Sequence, residues 1–212
     1  MKDRWILILL VLFSGVFSCN DRAQVEEHGQ LGAALPVLES SATESKRKEP
    51  EIGTIIDRFN GVAVYFNGNF RNTDGRNVTS DGYNLGLKWQ CVEFVKRYYY
   101  LRYGHRMPDP WGHAVDFFNK KLPDNTYNPQ RGLQQYKNPS IEKPKVEDII
   151  VFAGGDGNPY GHIAVVSKVG PNYVEIVQQN VGKQSRYTLP LFDMVDSWRI
   201  ANIDVLGWLR KK

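Results

Sequence analysis

Cys91 lies in Trp89-Gln90-Cys91-Val92-Glu93-Phe94, and its chemistry needs accounting for. The chain has two cysteines, and Cys19 has a separate explanation, so Cys91 has no partner for an internal disulfide. A thiol in that position reads either as a nucleophile or as a small buried filler. As a nucleophile it must act as the thiolate. The first turn of a helix favours that form, because unpaired backbone N–H groups and the helix dipole attract negative charge. An adjacent imidazole would favour it further.

Four histidines could supply that imidazole. His28 falls in a polar tether. His105 follows Gly104 at the far end of the Cys91 helix and reads as a turn residue, and His113, beside Gly112, is a weaker candidate. His162 opens the β-branched run Ile163-Ala164-Val165-Val166 directly after the glycine-rich loop Gly154–Gly161. A polar ring at the mouth of an apolar strand reads as a general base or as a satisfied structural histidine. A hairpin through Gly170-Pro171-Asn172 would set His162 opposite Gln178, Gln179 or Asn180. A side-chain amide there could hold the ring toward a thiol. The glycine-rich loop lacks a Gly-Lys-Ser/Thr ending, so it does not read as a phosphate cradle. One domain cysteine and scattered histidines give no structural zinc set, and no metal or cofactor is implied.

These residues need a framework. The periodicity predicts a helix from Trp89 to Tyr103 ended by Gly104, with Cys91, Phe94, Val95, Tyr98 and Leu101 as its buried stripe and Glu93, Lys96, Arg97 and Arg102 on its other sides. A second helix is expected over 114–120. Strands are expected over 61–66, 148–152, 161–167, 173–178, 186–189 and 205–209. Residues 67–86 read as a surface loop, and the Pro- and Asn-rich stretch to Lys145 as irregular. Helices followed by a meander of short strands predict an α+β fold with an antiparallel sheet.

The N-terminus reads as a targeting segment. Lys2 and Arg4 precede an apolar run, Trp5 to Phe13, that is shorter than the roughly 20 residues a spanning helix needs. Val16-Phe17-Ser18-Cys19 resembles a bacterial lipobox, although Phe17 is bulky for its place. The expectation is a signal peptide over 1–18 and a lipidated Cys19 that holds an exported protein on a membrane of the bacterial cell envelope. Residues 19–51 are polar and nearly free of aromatics, a tether composition, and Lys46-Arg47-Lys48 reads as solvated charge within it. Residues 52–212 then form one domain with enough chain for a single core. The net charge is +4, and loss of residues 1–18 (Lys2 and Arg4 against Asp3) leaves +3. That mild excess suits anionic surface polymers and does not argue for nucleic acid.

Gly61-Val62-Ala63-Val64-Tyr65, Lys88-Trp89-Gln90-Cys91-Val92-Glu93-Phe94, Gly161-His162-Ile163-Ala164-Val165-Val166, Gln178-Gln179-Asn180-Val181 and Leu206-Gly207-Trp208 together resemble CHAP amidases. The likeness is strongest to the amidase domain of glutathionylspermidine synthetase/amidases. It runs in order through 52–212 and implies a papain-like fold with N-terminal helices packed on the antiparallel sheet. It implies Cys91 as nucleophile, His162 as base and Gln178 in the third catalytic position. There the glutathionylspermidine amidases carry a Glu, so this chain orients the ring with a neutral amide. Gln90 and Asn180 are expected as oxyanion or orienting residues. The substrate expected is a peptide amide of the cell wall, with a glutathione–polyamine amide as the alternative. A non-catalytic surface binding module is a reading from another class, kept open by Gln178.

Overall fold

The structure, a computed structural model, describes residues 48–212. The expected signal segment, Cys19 and the expected tether through residue 47 lie outside the described residues. Among the described residues no helix is long and apolar enough to cross a membrane.

Two short hairpins precede the main sheet. The strands β1 (Ile55–Phe59) and β2 (Val62–Tyr65) pair antiparallel, as do β3 (Arg76–Val78) and β4 (Asn84–Leu87). The stretch 67–86 is therefore not all loop. Its strands are too short and too polar to show a period of two. The helix α1 (Cys91–Tyr103) follows, with Gln90 as its N-cap. Gly104 closes it in the left-handed region at φ 60°, its N–H bonded to the Tyr100 carbonyl. Gly86 has φ +126°, and a Cβ there would stand 3.2 Å from the Glu93 backbone. Glycine lets β4 pass this close to the first turn of α1.

The second expected helix is only a 3₁₀ turn, Ala114–Phe117, so α1 is the one α-helix among the described residues. Then come β5 (Thr126–Asn128), β6 (Leu133–Lys137), β7 (Ile149–Phe152), β8 (His162–Val169), β9 (Tyr173–Val177), β10 (Arg186–Asp193), β11 (Trp198–Ile200) and β12 (Val205–Arg210). They form an eight-stranded antiparallel sheet in the order β11-β10-β9-β8-β7-β12-β6-β5. The fold is α+β.

Alternation along the central strands divides the core. Ile163 and Val165 of β8 cluster with Phe94, Val95, Tyr98 and Tyr99 of α1 and with Ile149 and Val151 of β7. Ala164 and Val166 point into a second cluster with Ile150, Ile176, Leu189 and Trp208. Both clusters are closed to solvent, which fixes the register of β7, β8 and β9 and, with it, the place of His162 at the head of β8.

The helix buries more than the expected stripe. Tyr99 is buried and Leu101 is 61% exposed. Glu93, Lys96 and Arg97 are buried as well, each with polar partners: Arg97 donates to Glu93, and the Lys96 ammonium donates to the carbonyls of Asn84 and Pro110.

Candidate active site

Cys91 is the first residue of α1 and is buried, with the backbone N–H groups of Cys91 and Val92 at its thiol, as a helix start provides. The Ile163 N–H reaches the sulfur from β8. Burial nevertheless wins over these donors and pushes the thiol up to about 11. The expectation of a lowered thiol is therefore corrected: the helix start is present, but the apolar packing around it outweighs the dipole.

His162 is the residue before Ile163, so thiol and imidazole belong to adjoining positions. The chain reaches His162 through Gly161 (φ +71°), which leaves the glycine-rich loop in a conformation open to glycine. That loop is docked on the 3₁₀ turn by the Val115 N–H, which donates to the Tyr160 carbonyl at 3.0 Å. The Nε2 of His162 and the Oε1 of Gln178 are 2.8 Å apart. Because an amide oxygen only accepts, Nε2 carries the proton and Nδ1 is the free acceptor. Burial holds His162 below the ordinary imidazole value of 6.5, against the opposing effect of the Gln178 bond. Among the described residues, no hydrogen bond joins the Cys91 thiol to the ring.

Ring and amide share an open cavity of about 330 Å³ with Phe152, Ile176, Tyr187 and Asp156. Cys91 does not line it.

Of the three residues expected opposite His162, the structure selects Gln178. Asn180 does not face the ring. Its Oδ1 accepts from Asn67 Nδ2 at 2.7 Å, and its Nδ2 donates to Phe70 O at 2.9 Å and to Gln90 Oε1 at 2.6 Å. Gln90 Nε2 donates to Asn72 O at 2.6 Å and Phe70 O at 3.2 Å. Both amides thus hold the 67–72 loop against the helix start, leaving the Gln90 amide engaged rather than free for an oxyanion. The other histidines are placed elsewhere: His105 Nε2 contacts Arg131 O at 2.9 Å, and His113 packs on Tyr160 with ring centroids 4.4 Å apart.

Gln179, the third of the residues expected opposite His162, instead joins these parts. It is fully buried, and all its amide capacity is used. Oε1 accepts from Tyr65 N at 2.8 Å and from Arg97 Nη2 at 3.3 Å, while Nε2 donates to Gln90 O at 3.1 Å and Glu93 Oε2 at 2.9 Å. Its signal in the sequence is the Gln-Gln-Asn run itself, whose alternating side chains must face different neighbours.

A cysteine opening a helix, beside a strand headed by an amide-bonded histidine, is the residue set that the cysteine amidohydrolase reading requires. The model of the CHAP domain matches residues 81–180, a span that includes Cys91, His162 and Gln178. The chain is 33% identical over 108 residues to the "Bifunctional glutathionylspermidine synthetase/amidase" of Escherichia coli (strain K12), covering 50% of this chain and 17% of that protein. It is 33% identical over 98 residues to "Endolysin PlyTW" of Staphylococcus phage Twort, covering 43% of this chain and 19% of that protein. The chain thus spans less than a fifth of the length of either relative. A solved structure, that of the wild type endolysin LysIME-EF1, aligns with a TM-score of 0.36 at 21% identity over 64% of this chain and 57% of that one.

Proposed function

We propose that residues 52–212 are a papain-like cysteine amidohydrolase that cleaves peptide amides of the cell wall, held at a membrane of the bacterial cell envelope by lipid on Cys19. The observation that carries the mechanism is the His162–Gln178 bond, which fixes the ring and leaves Nδ1 as a proton acceptor.

In this reading the resting thiol is neutral. When an amide carbonyl enters, the sulfur turns from the Ile163 N–H toward Nδ1, gives up its proton there and bonds to the carbonyl carbon. The Cys91 N–H at the helix start stabilises the oxyanion, a type of contact worth about 100- to 1000-fold in rate. His162 then gives the proton to the leaving nitrogen as the C–N bond breaks, which leaves a thioester on Cys91. Water, deprotonated by His162, attacks the thioester carbonyl. The acid departs, and the thiol takes back its proton. Gln178 orients the ring but adds no charge to the imidazolium.

The endolysin relative and the sequence reading of an exported chain support a cell-wall substrate. The amidase relative supports a second reading, hydrolysis of a glutathione–polyamine amide. Incubating the purified chain with peptidoglycan and, separately, with glutathionylspermidine decides between them. New amines are expected from peptidoglycan, and release from the conjugate alone overturns the first reading. Cys91→Ala is expected to abolish turnover and keep the fold. Turnover that survives this substitution removes the mechanism.

A further inference from the structure

We propose that Gln179 is a positioning residue that sets the helix start bearing Cys91 in register with the segment bearing Gln178. The inference rests on the hydrolase reading above. Three elements must meet for the site to exist: the N-terminus of α1, the exit of β9 and the end of β2. No main-chain ladder joins α1 to either strand, so side chains must do it.

Gln179 touches all three elements. Its Nε2 donates to the Gln90 carbonyl, one residue before Cys91, at 3.1 Å, and its Oε1 accepts from Tyr65 N at the end of β2 at 2.8 Å. Its own backbone follows Gln178, the partner of His162. The Glu93–Arg97 pair locks the amide in place. Glu93 takes Arg97 Nε at 2.6 Å, Gln179 Nε2 at 2.9 Å and Asn77 Nδ2 at 2.7 Å, and Arg97 Nη1 reaches Ala63 O at 2.8 Å. Glu93, Arg97 and Gln179 are all buried, so each bond is shielded from water and each partner loses much if left alone.

The consequence is a division of labour along three successive residues. Gln178 holds the ring, Gln179 holds the helix start, and Asn180 holds the Gln90 side chain and the 67–72 loop. Asn180 takes φ +70°, which turns the chain immediately after these contacts. A shift of this short segment moves base and nucleophile relative to each other. A displacement of about 1 Å can cost about 100-fold in rate.

The test uses the full chain with Gln179→Met, which keeps the volume and removes the amide bonds, and Gln179→Glu, which sets a carboxyl group against Glu93. Four quantities are measured: kcat, KM, thermal unfolding and the rate of Cys91 alkylation by iodoacetamide. Gln179→Met is expected to lower kcat at least 10-fold with KM within about twofold. It is expected to speed alkylation at least threefold as the freed helix start exposes the thiol. For Gln179→Glu, kcat relative to wild type is expected to climb as pH falls from 8 to 5, because a protonated pair restores a donor between the two carboxyls. If Gln179→Met does not fold, this profile decides alone. Unchanged kcat and alkylation in Gln179→Met, or a flat ratio across pH in Gln179→Glu, overturns the proposal. Alkylation needs no substrate. Turnover that survives Cys91→Ala would remove the Cys91 mechanism and leave the alkylation result readable.

Discussion

The Nε2 of His162 stands 2.8 Å from the Oε1 of Gln178, sixteen residues on, across the open end of the β8–β9 hairpin. The ladder between these strands ends at Val165↔Val177, so the contact is made by side chains beyond the last paired residues. Its strength therefore depends on the amide itself rather than on the strand pairing.

Removing that amide should slow the chemistry without stopping it. Gln178→Ala is expected to lower kcat about 10- to 100-fold, less than the whole of a general acid–base contribution of about 100- to 10,000-fold. Gln178→Glu keeps the bond and adds a charge that stabilises the imidazolium, so the acid limb of kcat/KM should move to higher pH than in the wild type. Steady-state kinetics of the three forms across pH 4–9 check this. An acid limb that does not move shows that the carboxylate fails to reach the ring.

The state of the thiol gives a second expectation. Burial pushes Cys91 up to about 11, so about one thiol in 10,000 is ionised at pH 7. Alkylation by iodoacetamide should then keep rising through pH 9 and 10 instead of levelling near neutrality. Stability responds with a definite sign. The folded value exceeds the ordinary 9.0, so the folded chain binds the proton more tightly. The contribution is fully present below pH 9 and is lost as pH rises through 11, about 3 kcal/mol for two pKa units. Denaturant titrations of wild type and Cys91→Ala between pH 8 and 11 isolate it. Their difference should shrink over that window, and a constant difference refutes the buried, neutral thiol.

Much of this was legible in the sequence where one physical signal dominated. The apolar runs of β7, β8, β9 and β12 declared themselves because both faces of the central sheet are buried. The polar strands did not. In β6, Leu133-Gln134-Gln135-Tyr136-Lys137, Gln135 is buried yet satisfied by Asn119 and Asn128, so its polarity hid a core position. The same masking applied to Glu93, Lys96 and Arg97, whose charges suggested solvent while their partners lie inside the protein. His162 could be picked out from its strand position. The choice of Gln178 over Asn180 could not, since it depends on where the chain leaves the ladder.

The exchange of Tyr99 for Leu101 in the buried face of α1 can be tested by stability alone. The Tyr99 hydroxyl donates to the Glu147 carbonyl at 2.6 Å, and the residue is 1% exposed. Tyr99→Phe leaves that carbonyl without its partner, and about 1–2 kcal/mol should be lost. Leu101→Lys, on the exposed side, should stay within about 0.5 kcal/mol of wild type. Urea unfolding of both variants checks the pair. The reverse order would mean that the helix is rotated from the position described.

The glycine-rich loop makes the last case, because its glycines are not equivalent. Gly161 has φ +71°, and a Cβ there would lie 2.5 Å from the Phe152 carbonyl oxygen and 3.1 Å from Val115 Cβ. Backbone rather than a flexible side chain is in the way, so the residue must move and take His162 with it. The left-handed conformation alone costs about 1–2 kcal/mol for a residue with a Cβ. Gly161→Ala is therefore expected to lose about 2 kcal/mol or more and most of the turnover. Gly157→Ala meets no atom within 4 Å and should change stability by no more than about 0.5 kcal/mol. Thermal unfolding and kcat of the two variants, measured side by side, separate a loop that merely closes the chain from one that aims the base. Equal effects at both positions would show that the approach of Gly161 to Phe152 does not hold His162 in place.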